Sequence, residues 1–370
     1  MKLTGAQVIA ENYVETVDDK GNLKLYHYMN CNDSSTETLK QIRGIIIDSQ
    51  TNSIVMRSFP YTQEFVGVNP DLPFLKENRK NTYFPSYEGT IIRVFWHGEG
   101  WHVSTHRRIN AFESFWGGPI TFGEFFKMAV ENILQKPYNE FFELLNKDHQ
   151  YIFLLHSTQQ TRIVSPVSPY PVVSLVATVV NGEFNFDMQI PGFFTQKQLF
   201  IDGSRSEFDN IRQYMEWSNG DISTQGMFVV STDEQGDQHF YKIVSPMYHS
   251  LSLIRGNAYD ISTRFVELRF QVPERVNDFI KLFSEYTGLF MFLENRIDTL
   301  ASHIASKYNA RFVQGKYAPV VPALYPFMKK VREDATQKGR GNGLISREDV
   351  LVVLSAQSTY HISKMLAVNF

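Results

Sequence analysis

Cysteine is nearly absent from this chain: Cys31 stands alone, which excludes an internal disulfide and any zinc site built on cysteines. A reducing intracellular setting is compatible with that. Long apolar runs are also missing. The longest, PVVSLVATVV (171–180), has half of the roughly 20 residues that cross a bilayer, and its β-branched residues suit a buried strand. The opening stretch, MKLTGAQVIAENYVETVDD (1–19), carries acidic residues where a secretion signal has its apolar segment, so neither export nor a membrane partner is expected. Neither sign of charge dominates. With a net charge of −3 and a pI of about 6.4, the molecule has no general attraction for a phosphate backbone, and any nucleic-acid surface must be local. Repeats, low-complexity tracts and charged tails are absent as well.

What is present is an ordinary folded composition, 43% hydrophobic in 370 residues, enough for two domains. Residues 1–80 alternate short β-rich runs with turn signals, among them Asp19-Lys20-Gly21-Asn22 as a hairpin turn. IIRVFWHGEGWHVST (91–105) predicts two strands joined at His97-Gly98-Glu99-Gly100, a hairpin that SYEGT (86–90) opens. FGEFFKMAVENIL (122–134) has helical spacing, and NEFFELLNK (139–147) predicts a second short helix. YIFLLHS, PVVSLVATVV, GEFNFDM, GMFVVST and HFYKIV continue the strands to Val244, an α+β pattern with mainly antiparallel sheets flanked by helices. From Pro273 the chain turns helical, with a weak point at Gly288 and Ser346 placed as a helix cap. The expected domains are therefore 1–257 and an all-α domain over 258–370.

Two basic clusters interrupt the mixed surface: HVSTHRRI (102–109), and Lys329-Lys330 with KGRG (338–341). Surface statistics favour a solvated face for each.

Five fragments carry a further signal: QIRGIIID (41–48), MRSFPYTQEF (56–65) with SYEGT after it, TRIV (161–164), TQGMFVV (224–230) and YKIVSPMYHSL (241–251). In order and spacing they resemble the motifs of the ATP-dependent RNA ligases, covalent nucleotidyltransferases typified by the tRNA-repair ligase of T-even phages. The resemblance covers 41–257 and implies a nucleotidyltransferase domain followed by the helical one. In that family a lysine in Lys-x-Asp-Gly attacks the α-phosphate of the nucleotide.

The residues that would perform this chemistry are degenerate. Ser86 occupies the nucleophile's slot, and its hydroxyl titrates far above neutrality. Lys80, six residues earlier, is read as lying off the register that points inward. Counting back from Arg162, the ribose-binding glutamate position falls on Leu155, or on Leu154 with one inserted residue. The metal-positioning glutamate is Gln225, a poor partner for Mg²⁺ beside phosphates. Of two phosphate-gripping lysines, Lys242 survives and the other is Val244. Arg43, Glu88, Gly89, Arg162 and Lys242 form the remnant of a nucleotide or phosphate site; for Arg162 a salt bridge at a strand end is an equal alternative.

The resemblance, with these departures, implies an inactive ligase-like protein that binds RNA or DNA ends or protein partners in an assembly, with no cofactor and no metal. Arg93, His106, Arg107 and Arg108 are the nucleic-acid contact candidates, with Trp96 and Trp101 for stacking; a sheet edge decorated with surface residues is the competing reading. Two alternatives stay open: an active ligase or adenylyltransferase with an unorthodox nucleophile, using ATP and Mg²⁺, and a nucleotide sensor. The family's frequency in phages and large DNA viruses implies a viral origin, and with it the host cytoplasm or the virion as location.

Overall fold

The computed structural model describes residues 3–76 and 78–369; the first two residues of the stretch read for a secretion signal lie outside them. Two compact units divide between Leu253 and Ile254.

The first unit is built of three sheets. An antiparallel meander comprises β1 (Val14–Lys20), β2 (Leu23–Tyr28), β3 (Arg43–Asp48) and β4 (Ser53–Met56), in that order. The β1–β2 turn lies at Gly21-Asn22, as the sequence predicts, with Gly21 supplying a φ of 61°. β3 is nearly continuous in apolar residues because it is covered on both faces: Ile46 packs with Leu25 and Phe84, while Ile45 and Ile47 pack with Leu3 and Val8.

The other two sheets face each other. One contains β5 (Gln63–Val66) and β6 (Lys80–Ser86) at its edges, enclosing β13 (Gly226–Thr232) and β14 (Gln238–Val244) in the order β5-β14-β13-β6. The other runs β11-β10-β9-β7-β8, from β7 (Gly89–His97), β8 (Gly100–Ser104), β9 (Gln150–His156), β10 (Val173–Val180) and β11 (Glu183–Asn185), with β12 (Phe194–Thr195) parallel to β10. Phe84, Ile152, Leu154, Val230 and Phe240 fill the core between them. Each outer face carries a helix. Phe122–Leu134 lays Phe126 and Val130 on Ile92, Phe153 and Leu175, and Glu207–Gly220 lays Ile211 and Met215 on Tyr83, Val229 and Ile243. The first is capped by Thr121 and Glu124 reaching reciprocally for each other's backbone.

Several expectations change. The Asn139–Lys147 stretch forms a 3-10 helix over Tyr138–Leu144, and the GEFNFDM strand shrinks to Glu183–Asn185. The Glu207–Gly220 helix, capped by Ser206, has no counterpart in the sequence reading. SYEGT does more than open a hairpin: Ser86 closes β6 in one sheet and Gly89 opens β7 in the other, so Tyr87-Glu88 is the crossover between them.

The second unit is helical, as expected. Ile261–Gln271, Val276–Leu282, Thr287–Tyr308, Tyr325–Gln337, Arg347–Ser355 and Thr359–Leu366 enclose Leu300, Ile304, Phe327, Val331 and Leu354. Ser346 caps its helix, with Asp349 completing a capping box. The break expected at Gly288 falls at Ser284–Tyr286, and Gly288 sits in the first turn of the next helix, where a missing side chain matters least. Among the described residues no helix is long and apolar enough to cross a membrane.

Candidate functional site

Strand register brings the motif positions together. Gly226 pairs with Ser86 on one side and Val244 on the other, so the ends of β6, β13 and β14 lie abreast. Gly226 has a φ of 136°, and a Cβ there would stand 2.0 Å from Ile243 O; only glycine fits. Gly89 pairs with His156, and its Cβ would meet Leu155 O at 2.3 Å. The close approach that requires this glycine is to the neighbouring strand.

From Ser86 a polar chain runs inward. Its Oγ donates to Gln225 Oε1 at 3.2 Å, Gln225 Nε2 donates to the Tyr248 hydroxyl at 2.8 Å, and that hydroxyl donates to Glu88 Oε2 at 2.9 Å. Glu88 is 4% exposed and also accepts three backbone N–H groups: Ile163 at 2.6 Å on Oε1, Val164 at 2.7 Å and Ser165 at 3.0 Å on Oε2. Three of these donors fall on Oε2 and one on Oε1. Burial and the Glu88 charge both raise the pKa of the Tyr248 phenol, so it stays a donor. The sequence reading did not single out Tyr248, although it lies within YKIVSPMYHSL; its signal is the i+4 position after Val244, which carries the chain from the strand into the helix Pro246–Arg255.

Lys242 shares the face of β14 with Phe240, opposite Phe228, with its Nζ 3.5 Å from Glu64 Oε1 on the parallel neighbour β5. Burial depresses the pKa of this ammonium, partly offset by Glu64; Arg43 lowers it further and Glu88 raises it. Arg43, half-buried on β3, thus shares one electrostatic neighbourhood with Lys242. Val244, two residues on, points the same way and is 5% exposed. Arg162 folds back on its own loop, with Nε to Ser165 O at 3.1 Å and Nη2 to Val164 O at 3.2 Å. It lies beyond the end of β9, so the strand-end position expected for it is corrected.

Faces decide two further positions. Leu155 packs under the helix Phe122–Leu134, whereas Leu154 belongs to the core between the sheets. Leu154 is therefore the residue that faces the opposite sheet, the position reached with one inserted residue. Lys80 shares the parity of Ser86, contrary to the register read from the sequence; it is excluded by distance, roughly 20 Å along the strand at 3.3 Å per residue.

The nucleic-acid candidates scatter. Arg93 is 0% exposed and donates to Gly44 O and Thr105 O, a placement that leaves it no surface for a nucleic acid. His106 bonds Ser58 through Nε2 and is held far below its usual pKa by burial and by Arg43 and Arg93. Arg107 and Arg108 are exposed and pair with Glu15 at 2.7 Å and Asp18 at 3.6 Å. Trp96 and Trp101 meet edge to face at 5.6 Å, with Trp101 also stacked on Phe142. In the second cluster Lys338 pairs with Asp334 and Arg340 with Asp349.

Nor does the residue set fit Mg²⁺. Both polar atoms of the Gln225 amide are engaged, and Glu88 is buried with both carboxylate oxygens already accepting hydrogen bonds from the protein. Among the described residues no group of three or more His, Cys, Asp or Glu could hold a metal.

No protein-family model matches the chain. Two relatives are viral. An "Immediate-early protein ICP-46 homolog" of Invertebrate iridescent virus 3 is 25% identical over 354 residues, covering 90% of this chain and 74% of the relative. A protein of the same description from Invertebrate iridescent virus 6 is 28% identical over 250 residues, covering 61% of this chain and 53% of the relative; the chain spans about half the length of that second protein. The similar solved structures are ATP-dependent ligases. They include a putative ATP-dependent DNA ligase from Aquifex aeolicus (TM-score 0.43, 13% identity, 75% of this chain and 70% of that one) and an archaeal ATP-dependent RNA ligase (TM-score 0.44, 12% identity, 78% and 76%). At such scores these likenesses carry no argument about chemistry, and the site described above rests on strand register and side-chain contacts.

Proposed function

We propose that this chain is a catalytically inactive ligase-like protein that works by binding, as a component of a protein assembly in virus-infected cells. The observation that carries the reading is the closed relay Ser86–Gln225–Tyr248–Glu88. Where transfer chemistry needs a neutral amine and a metal-binding carboxylate, this chain has a hydroxyl and an amide bonded to each other. Lys242, the one cation left from the expected phosphate grip, faces Glu64. A protein partner is preferred to a nucleic acid because Arg93 is buried and Arg107 and Arg108 face carboxylates, in a molecule of net charge −3.

Intact-protein mass spectrometry after incubation with each nucleoside triphosphate and Mg²⁺, beside a Ser86→Lys variant, tests the reading. The expected result is no added nucleotide on either protein. An adduct on the unmodified chain would overturn inactivity and point to an unorthodox nucleophile. Titration of 5′-phosphorylated RNA and DNA at two salt concentrations tests the choice of partner; tight, steeply salt-dependent binding would move the reading to nucleic-acid ends.

A further inference from the structure

The crossover between the two facing sheets carries a side chain with the coordination of a bound ligand. Glu88 accepts from the N–H groups of Ile163, Val164 and Ser165, three consecutive residues, at 2.6 to 3.0 Å. Successive peptide N–H groups converging on one anion form a nest, a backbone geometry suited to small oxyanions. These residues lie in the connection between His156 and Val173, which contains no strand or helix. A long connection of that kind usually stays at the surface, where water satisfies its backbone. Here Val164 is 0% exposed and Ser165 5% exposed, and Ser165 Oγ is buried without a partner, one more polar group beside the nest. Local bonds between Thr158 and Thr161 and from Arg162 to carbonyls of the same segment shape the loop but leave its N–H groups at 163–165 to the carboxylate. The length of the side chain matters. An aspartate would draw the oxygens back by about one C–C bond, roughly 1.5 Å, more than these hydrogen bonds tolerate without a backbone shift.

We propose that Glu88 is a built-in ligand: its carboxylate fills an oxyanion nest on Ile163–Ser165 and, with Tyr248, holds the 157–172 connection closed without any bound molecule. A nest vacated by truncation takes a small carboxylate in its place. This goes beyond catalytic inactivity and stands apart from it, since the nest is filled or empty whether or not the chain transfers a nucleotide.

The test is chemical rescue of Glu88→Ala, read as the thermal midpoint in sodium formate against sodium chloride of equal ionic strength. The variant is expected to melt lower than the unmodified protein by roughly 5 °C or more, because three buried N–H groups lose their acceptor. Formate should restore a large part of that loss in a saturable way, with no such response in the unmodified protein or in Glu88→Gln, whose side chain still fills the space. Equal response of Glu88→Ala to formate and chloride would overturn the proposal. Should Glu88→Ala fail to fold, hydrogen exchange on the unmodified chain decides: amides 163–165 are expected to exchange as slowly as those of β9, and exchange at the rate of an exposed loop would sink the nest.

Discussion

Glu88 and Arg93 are charged, deeply buried and carried on the same stretch of chain, yet the fold treats them in opposite ways. Glu88 meets four donors, three of them from one segment of backbone. Among the described residues Arg93 meets no carboxylate. It spends its terminal nitrogens on the carbonyls of Gly44 and Thr105, leaves Nε unpartnered, and adds its charge to a neighbourhood that already holds Arg43 and His106. Burial pushes the guanidinium pKa down to about 9. The carboxylate is thus a satisfied ligand. The arginine is a strut that ties β3 to the segment after β8.

Substitution at Arg93 should be the most damaging. Arg93→Ala leaves two buried carbonyls without donors and a large cavity, and should cost about 3–5 kcal/mol in urea unfolding. Arg93→Met fills most of the space and removes a poorly solvated charge, so its loss should be clearly smaller; equal losses would mean that the hydrogen bonds, not the packing, hold the strut.

Acid should destabilise the region around Arg93 through its two buried histidines. Burial depresses His27 from 6.5 to about 4, with Arg107 and Arg43 adding to the effect, and His106 is also held well below 6.5 by burial, Arg43, Arg93, His27 and Arg107. Both are neutral in the folded protein, whereas the unfolded chain takes up protons below its pKa near 6.5. Stability is therefore complete above pH 6.5 and falls as the pH drops toward 4. His27 alone contributes on the order of 2–3 kcal/mol to that fall. Melting curves from pH 7.5 to 4.5 should show the decline, and a flat profile would mean that water reaches these imidazoles.

Within the relay, Tyr248→Phe removes one donor to Glu88 and the acceptor of Gln225 while the three N–H groups remain. A loss of about 1–2 kcal/mol in unfolding free energy is expected, with no response to formate. The smallest effect belongs to the surface. Arg107→Ala with Arg108→Ala removes two exposed guanidinium groups, each from a single ion pair, and should change stability by about 1 kcal/mol or less. If the double variant also loses RNA affinity and two units of salt slope, the basic strip is a nucleic-acid contact after all.

Much of the architecture was legible because periodicity reports burial. The helix Phe122–Leu134, the strand Val173–Val180 and the Ser346 cap all follow from local patterns. The helix Glu207–Gly220 escaped because its exposed face dilutes the apolar stripe, leaving Ser206 and the acidic first turn as its only sharp signal. In the candidate site, Ser86, Gln225 and Val244 could be read as departures from a motif. Their joining through Tyr248 could not, since hydrogen-bond partners distant in sequence leave no local pattern.

By itself the sequence determined the α+β and helical division and that a serine stands at position 86, because side-chain chemistry and hydrophobic period are properties of residue order. Only the tertiary structure decided that Leu154 rather than Leu155 faces the opposite sheet, that Arg93 is interior, and that Glu88 accepts from its own chain. Those facts depend on which strand faces lie together and which distant backbone reaches a carboxylate, and the geometry that sets them exists only once the sheets have packed.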